Sequence, residues 1–108
     1  MELAEERKIE IEDSGEKLFH YFRELRSKEW LEWQQKIAAV EDPDEQQRQL
    51  KLILLAYDGK CVRVEGYSYQ GRDLMSARPD DWRDFIPGGH KYSAWIELVM
   101  GNELKKKS

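Results

Sequence analysis

Cysteine is nearly absent from this chain, and long apolar runs are missing altogether. Because Cys61 is the only cysteine, no internal disulfide can form, and a lone thiol is typical of a small buried residue in a reducing compartment. The longest apolar run, residues 52–57, is much shorter than the roughly 20 residues that cross a bilayer. Residues 1–7 are charged and lack the apolar core of a secretory signal. We therefore expect a cytoplasmic protein with no membrane partner.

Positive charge is also in short supply. The 108 residues include 18 Lys and Arg against 22 Asp and Glu, which leaves a formal net charge of -4. Proteins that bind nucleic acid draw their affinity from neutralising phosphates, so this balance argues against a nucleic-acid partner. With 40% hydrophobic residues, the composition suits one packed domain over residues 1–108, whose ends, 1–6 and 103–108, we expect to be loose.

Two strand-like patterns flank a turn sequence near the start of the chain. Residues 8–12 alternate polar and apolar side chains, and residues 17–23 form an aromatic-rich run. Between them lies Asp13-Ser14-Gly15, whose glycine can adopt the positive φ of a tight turn. The pattern predicts an N-terminal β-hairpin that rests one face on the remainder of the domain, because an isolated ribbon is only marginally stable.

Helical periodicity dominates the remaining sequence. A first helix is predicted over 28–40 with Ser27 as its cap, and a second from Asp42 and Pro43 to about Tyr57, ended by Gly59. A short helical turn is predicted over 79–85, and a last helix over 90–104 that residues 101–102 could end early. The apolar positions expected to face the core are Trp30, Trp33, Ile37 and Val40, then Leu50, Ile53, Leu54 and Tyr57, then Tyr92, Trp95, Ile96, Val99 and Met100.

The segment between the second and last helices is the hardest to interpret. Residues 61–65 alternate as a strand would, although a continuation of the second helix past Gly59 is an open alternative. Residues 67–78 lack a clear period, and we expect a long loop that is mobile or carries the working surface. The predicted fold class is therefore α+β, a predominantly helical small domain with three main helices, a short one and an N-terminal β-hairpin.

Residues suited to catalysis or metal binding are sparse and scattered. His20 and His90 lie in different elements, and neither has a partner ligand at helical spacing. The carboxylates of residues 80–84 are typical of a solvated start of a helix, and Cys61 has no base near it in sequence. The glycine pair at 88–89 lacks the pattern of a phosphate-binding loop. We expect no metal, no cofactor and no enzymatic activity.

Aromatic residues are abundant for so short a chain, with 4 tryptophans and 5 tyrosines. Aromatic side chains supply both core area and the main contacts of protein interfaces. The tryptophans at helical spacing are assigned to the core, whereas those in or beside the irregular segment are candidates for contact with another protein. The candidate partner-binding residues are Tyr67, Tyr69, Trp82, Phe85 and His90. Self-association is left open.

Three stretches of the sequence also follow the pattern of a known family. They are Phe19-His20-Tyr21-Phe22 with Ser27-Lys28-Glu29-Trp30-Leu31-Glu32-Trp33, then Val64-Glu65-Gly66-Tyr67, then Asp81-Trp82-Arg83-Asp84-Phe85-Ile86-Pro87 with His90-Lys91. In this order, between about residues 17 and 102, the chain resembles the tail assembly chaperones of long-tailed bacteriophages and related prophage proteins.

The resemblance implies a function that the residues alone do not. It implies a non-enzymatic chaperone in a bacterial host cell that coats the tape measure protein, recruits tail tube subunits and is absent from the finished particle. It also implies that ribosomal frameshifting could extend the product, for which the codons of residues 105–107 are candidates. Two alternatives stay open: a structural connector or tail completion protein, and a small regulator that binds a host protein.

Overall fold

The computed structural model describes residues 6–106 of the chain, and for residues 102–106 it describes the backbone only. This is a small α+β domain with an N-terminal hairpin, as predicted from the sequence. The elements are β1 (Glu6–Asp13), β2 (Glu16–Arg23), α1 (Ser27–Ala38), α2 (Pro43–Lys60), β3 (Cys61–Glu65), β4 (Ser68–Tyr69), β5 (Arg72–Asp73), α3 (Leu74–Ala77), a 3-10 turn (Trp82–Phe85) and α4 (Gly88–Lys106).

The N-terminal hairpin forms half of a larger sheet. β1 and β2 pair antiparallel from Glu6 opposite Arg23 to Asp13 opposite Glu16. The residues between them, Ser14 and Gly15, both have positive φ (54° and 82°), as the two-residue turns that match strand twist require. β3 pairs antiparallel with the other edge of β2, so the strand order is β1-β2-β3. The predicted hairpin is confirmed, and its strands are longer than expected.

A bulge in β3 changes which of its residues face the core. Tyr21 pairs with Arg63 and Phe22 with Cys61, so Val62 is the extra residue on the β3 side. Cys61 and Val64 are therefore both buried, at 0% and 1% exposure, although strict alternation would place them on opposite faces. The strand at 61–65 is confirmed over the helical alternative, but the predicted simple alternation is wrong because of the bulge.

The core forms where the inner face of the sheet meets α2 and α4. Phe22 on β2 lies at its centre, with its ring edge-on to Tyr57 of α2 (centroids 5.3 Å apart) and to Trp95 of α4 (5.9 Å). Such aromatic pairs stabilise by about 0.5–1.5 kcal/mol each beyond the area they bury. The buried hydrophobic cluster comprises Ile9, Phe22, Ile53, Tyr57, Cys61, Val64, Leu74, Trp82, Ile86, Ala94, Trp95, Leu98 and Val99.

α1 lies on the outside of α4 through its tryptophans. The indole N–H of Trp30 donates to the backbone oxygen of Val99 (2.8 Å), and Trp33 packs edge-on to Trp95 (5.2 Å). The predicted apolar positions of α1 are consequently only partly buried. The predicted Ser27 cap is wrong: Ser27 is already helical, and Arg26 occupies the cap position without a side-chain bond.

Both ends of α2 are held by side-chain contacts. The Asp42 carboxylate accepts from the Glu45 N–H (2.8 Å), which confirms the predicted cap. At the other end, the prediction that Gly59 stops the helix is wrong, because α2 continues to Lys60. The salt bridge between Lys91 of α4 and Asp58 (2.8 Å) holds this last turn, and such tertiary contacts outweigh the roughly 1 kcal/mol cost of a glycine in a helix.

The buried faces of α2 and α4 are rotated from those the apolar spacing predicts. In α2, Gln49 is buried with Ile53 and Tyr57, while Leu50 is 38% exposed. In α4, Lys91 is buried and Tyr92 is 41% exposed. The core assignment of Leu50 and Tyr92 is therefore wrong. The physical reason is that buried Gln49 is satisfied by a bond to the Lys36 backbone oxygen (2.6 Å), and buried Lys91 by its salt bridge.

Most of residues 68–77 form regular secondary structure, contrary to the predicted loop. β4 and β5 form a miniature hairpin around Gln70 and Gly71, both of positive φ (51° and 77°). Asp73 then caps α3 by accepting from the N–H groups of Met75 and Ser76 (3.1 and 3.3 Å). The sequence interpretation missed that Gln-Gly can form the same tight turn as Ser-Gly and that Asp73 stands at a cap position.

The last helix is longer than predicted, and the glycines beside it do not delimit it. α4 begins at Gly88, inside the expected break, and passes through Gly101 to Lys106. Of the ends predicted to be loose, Glu6 is the first residue of β1 and residues 103–106 belong to α4, whereas 1–5 and 107–108 lie outside the described residues. Among the described helices, none combines the length and the hydropathy needed to cross a bilayer.

A glycine comparison tests the packing between β3 and the hairpin. Gly66 has φ +96°, and an added Cβ would lie 2.9 Å from Leu18 Cδ2 and 3.1 Å from the Lys17 backbone oxygen. We expect Gly66→Ala to lower the free energy of unfolding by roughly 2 kcal/mol through backbone strain and overpacking, measured by urea denaturation.

Gly59→Ala is the matched control. Gly59 lies inside α2 at ordinary helical φ with no atom within 4 Å of an added Cβ. The same methyl group should there raise the free energy of unfolding by about 0.5–1 kcal/mol. Equal effects at the two positions would contradict the packing described for Gly66.

Candidate functional site

Four of the five residues predicted to bind a partner lie near one another. Phe85, in the 3-10 turn, is 50% exposed and packs against Tyr69 with ring centroids 4.8 Å apart. Tyr67 is partly buried and its hydroxyl lies 2.9 Å from Nδ1 of His90. Trp82 does not share this surface: it is 4% exposed and belongs to the core cluster. Its indole is not presented to a partner in this conformation.

Tyr67 and His90 belong to a continuous hydrogen-bonded chain that runs into the core. At the outer end, His90 Nε2 contacts the Asp13 carboxylate in the turn of the hairpin (2.8 Å). Tyr67 Oη then bridges His90 Nδ1 (2.9 Å) and His20 Nε2 (2.8 Å). At the inner end, His20 Nδ1 lies 2.6 Å from Tyr57 Oη. We call Asp13, His90, Tyr67, His20 and Tyr57 the polar network.

His20 occupies a position that an apolar residue would normally take. It lies on the inner face of β2 between Leu18 and Phe22 and is 0% exposed. Burial lowers the pKa of His20 from its ordinary 6.5 to about 4, with a further lowering from the nearby charge of His90. The ring is therefore neutral near pH 7, and the Tyr57 and Tyr67 hydroxyls satisfy both of its nitrogens.

The identity of each donor in the polar network follows from the acid at its outer end. The hydrogen bond from His90 holds the pKa of the Asp13 carboxyl below its usual range, so Asp13 accepts and His90 Nε2 donates. In neutral His90, Nδ1 then accepts from the Tyr67 hydroxyl, and Tyr67 must in turn accept from His20 Nε2. His20 Nδ1 finally accepts from Tyr57. All four hydrogen bonds of the polar network therefore donate in the same direction, toward Asp13.

The nitrogens and hydroxyls of the polar network are occupied by bonds to one another, which restrains the fold. Both ring nitrogens of each histidine are already hydrogen-bonded. Burial raises the pKa of the Tyr57 and Tyr67 hydroxyls and of the Cys61 thiol, which disfavours their nucleophilic forms. Among the described residues, no group of three or more His, Cys, Asp or Glu side chains could hold a metal ion.

A shallow pocket of about 470 Å³ lies over the outer end of the polar network. Its walls include Asp13, His90 and Tyr67, together with Phe85 and Ser68. Of the polar groups that it presents, Asp13, His90 and Tyr67 are already bonded to one another, and Phe85 contributes an apolar rim. The predicted partner-binding residues Tyr67, Phe85 and His90 thus share one concave surface.

A larger groove of about 770 Å³ lies on another part of the surface, between the end of α1, α2 and the start of α4. Its prominent side chains are Leu50 and Tyr92, at 38% and 41% exposure. The groove is lined by Ile37, Val40, Pro43, Gln46, Gln47, Gln49, Leu50, Leu54, Gly88, Gly89 and Tyr92. No charged residue is among these lining residues, so the groove is an apolar surface with polar amides beside it.

The sequence analysis missed this groove because it assigned the groove side chains to the core. The prediction placed five groove residues on the buried faces of helices: Ile37, Val40, Leu50, Leu54 and Tyr92. The spacing of apolar residues along a helix does not show which turn of that helix faces outward. A signal was present in Gln49: a polar residue within an apolar helix face is either exposed or specifically bonded, and here the bond to Lys36 rotates Leu50 outward.

No family model, no curated protein and no solved structure matches this chain.

The depressed pKa of His20 makes stability depend on pH. The unfolded histidine takes up a proton below pH 6.5, whereas the folded one resists protonation until about pH 4. Its contribution is fully present above pH 6.5 and is lost as the pH falls through this window. We expect the free energy of unfolding to fall by roughly 3 kcal/mol across it, measured by denaturant titration at several pH values.

His20→Gln is the reference for that experiment. The variant should be less stable at neutral pH because it leaves tyrosine hydroxyls unpaired, but its curve should lack the loss in this window. The contribution of Asp13 to stability is lost at lower pH than that of His20. Because the folded state lowers the pKa of the Asp13 carboxyl, this contribution is present above the ordinary pKa of 3.8 and is lost as the pH falls below it. Parallel curves for the wild type and His20→Gln would contradict a buried neutral His20.

The network also couples the tautomers of its two histidines. With neutral His90, both rings should carry their proton on Nε2. We expect nitrogen NMR at neutral pH to show the proton of His20 on Nε2, because Tyr67 accepts from that nitrogen and Tyr57 donates to Nδ1. A neutral His20 protonated on Nδ1 would contradict this direction of the chain of bonds.

Proposed function

We propose that this protein is a non-catalytic binding factor, and specifically a phage or prophage tail assembly chaperone. In this proposal it holds an apolar segment of the tape measure protein and recruits tail tube subunits in the cytoplasm of the bacterial host. The observation that carries the proposal is the uncharged groove, where Leu50 and Tyr92 remain exposed on the rigid scaffold of α2 and α4.

The energetics of the groove favour reversible binding of another polypeptide. Leaving large apolar side chains in water is costly, and burying one fully is worth about 1.5–3 kcal/mol. Leu50 and Tyr92 could each contribute part of that on binding, beside the partly buried Ile37, Val40 and Leu54. A few such contacts give moderate affinity, which suits a chaperone that must later leave.

The pattern behind the family resemblance coincides with the polar network. Its three stretches contribute one member each: His20 from the aromatic strand, Tyr67 from the segment after β3 and His90 from the start of α4. Because these three residues hold the fold together, the resemblance concerns the structural framework of the family. A shared framework supports the proposal, whereas the surfaces that contact partners can differ from one family member to another.

The surface around Phe85 remains the second candidate contact. The exposed Phe85 packs against the partly buried Tyr69, beside Tyr67 and His90. A chaperone that binds both a tape measure protein and tube subunits needs two separate surfaces. We assign the groove to the tape measure protein and keep Tyr67, Tyr69, Phe85 and His90 as the candidate contact for the other partner.

Co-purification with the tape measure protein encoded beside the gene tests the proposal. We expect the wild type to bind, and Leu50→Asp to weaken binding at least about ten-fold, because it places a charge in an apolar contact. Leu55→Asp is the matched control, since Leu55 is 70% exposed on the same helix and does not line the groove.

Three results would count against the proposal. Equal loss in the two leucine variants would show that the effect does not come from the groove. No binding of the wild type to the tape measure protein would remove the chaperone assignment. The presence of the protein in purified mature particles would instead favour a structural connector or tail completion protein, because a chaperone departs before the particle is complete.

A further inference from the structure

One end of the groove is strongly acidic. Val40, Pro43 and Gln46 line it where α2 begins. The residues interleaved with them are Glu41, Asp42, Asp44 and Glu45, all exposed. An otherwise uncharged groove therefore has a concentration of negative charge at a single end.

None of the salt bridges described in this structure neutralises these carboxylates, although the Arg48 side chain donates to the Asp44 backbone oxygen (3.4 Å). Asp42 and Glu45 accept backbone N–H groups at the start of α2, of Glu45 and Glu41 respectively. Within residues 6–101, where side chains are described, no salt bridge joins any of the four to a lysine or arginine, whereas Asp58 pairs with Lys91. The helix dipole stabilises carboxylates at this position but leaves their outward field available to a partner.

The composition of the groove narrows the kind of occupant. A small polar ligand would require converging polar or charged groups. The lining side chains supply only three glutamine amides and the Tyr92 hydroxyl, and Gln49 is already bonded to Lys36. A second copy of this chain would bring another net charge of -4 to the same surface. An open apolar channel between helices suits an amphipathic helix laid into it.

We infer that the groove binds an amphipathic helix whose apolar face covers Leu50, Leu54 and Tyr92 and whose terminal turn, beside residues 41–45, carries lysine or arginine. The apolar face supplies affinity, and the basic turn fixes the direction in which the helix lies, because reversing it would move the cations away from the carboxylates. This inference rests on the proposed binding function and adds the chemistry of the bound segment.

Synthetic helical peptides test the inference without the natural partner. Three peptides share one leucine face and differ only in a terminal turn, which carries lysine and arginine, glutamine, or glutamate. At low salt we expect the basic peptide to bind about five-fold more tightly than the glutamine peptide and the acidic one to bind least, measured by fluorescence anisotropy. At high salt, screening should bring the three affinities together.

Variants of the protein locate the charge effect. Glu41→Gln with Asp44→Asn removes two carboxylates that make no side-chain bond within the described residues, and it should abolish the preference for the basic peptide while leaving binding of the glutamine peptide. Glu12→Gln with Glu16→Gln is the control, because it removes the same charge from the exposed hairpin, outside the groove, and should retain the preference.

The outcomes separate this inference from the proposed function. Equal binding of all three peptides, abolished by Leu50→Asp, would overturn the charge inference and leave the groove as a binding surface. A preference that survives in the Glu41 and Asp44 variant would overturn it as well. Failure of every peptide to bind would overturn the inferred helix, whereas the proposed function would still be judged by co-purification. Self-association lost in Leu50→Asp would assign the groove to a second copy.

Discussion

The burial of a neutral histidine between two tyrosine hydroxyls is the constraint on which the rest of the structure depends. His20 lies in the core face of the central strand, where an unpaired imidazole would cost several kcal/mol, and Tyr57 and Tyr67 satisfy both of its nitrogens. Because His90 and Asp13 extend the same chain, it joins the hairpin, α2, the segment after β3 and the start of α4. The position of α4 relative to the sheet is thereby fixed.

The groove is a consequence of that fixed arrangement. His90 is held in the first turns of α4, next to Gly88, Gly89 and Tyr92, which form one wall. The bond from Gln49 to Lys36 joins α2 to α1 and turns Leu50 outward to form the other. Polar residues thus occupy interior positions while apolar ones stay at the surface. We regard this exchange as the feature that supports the proposed binding function.

The sequence predicted the parts of this molecule that depend on local geometry. The Ser14-Gly15 turn, the Asp42 cap and the strand after α2 were foreseen, since each follows from the backbone preferences of a few neighbouring residues. The polar network and the groove were not, because His20 meets Tyr57, Tyr67 and His90 only through tertiary packing. A histidine at a core position of a strand was the available signal for the polar network, as Gln49 was for the groove.

The central proposal is that the tape measure protein binds in the groove, whereas the aromatic surface around Phe85 is kept for the other partner. Hydrogen exchange of the backbone amides, with and without the tape measure protein, tests this most directly because it maps protection along the chain. Our account predicts that slowed exchange concentrates in residues 37–54 and 88–92. Protection confined to residues 67–85, with the groove segments unchanged, would contradict it.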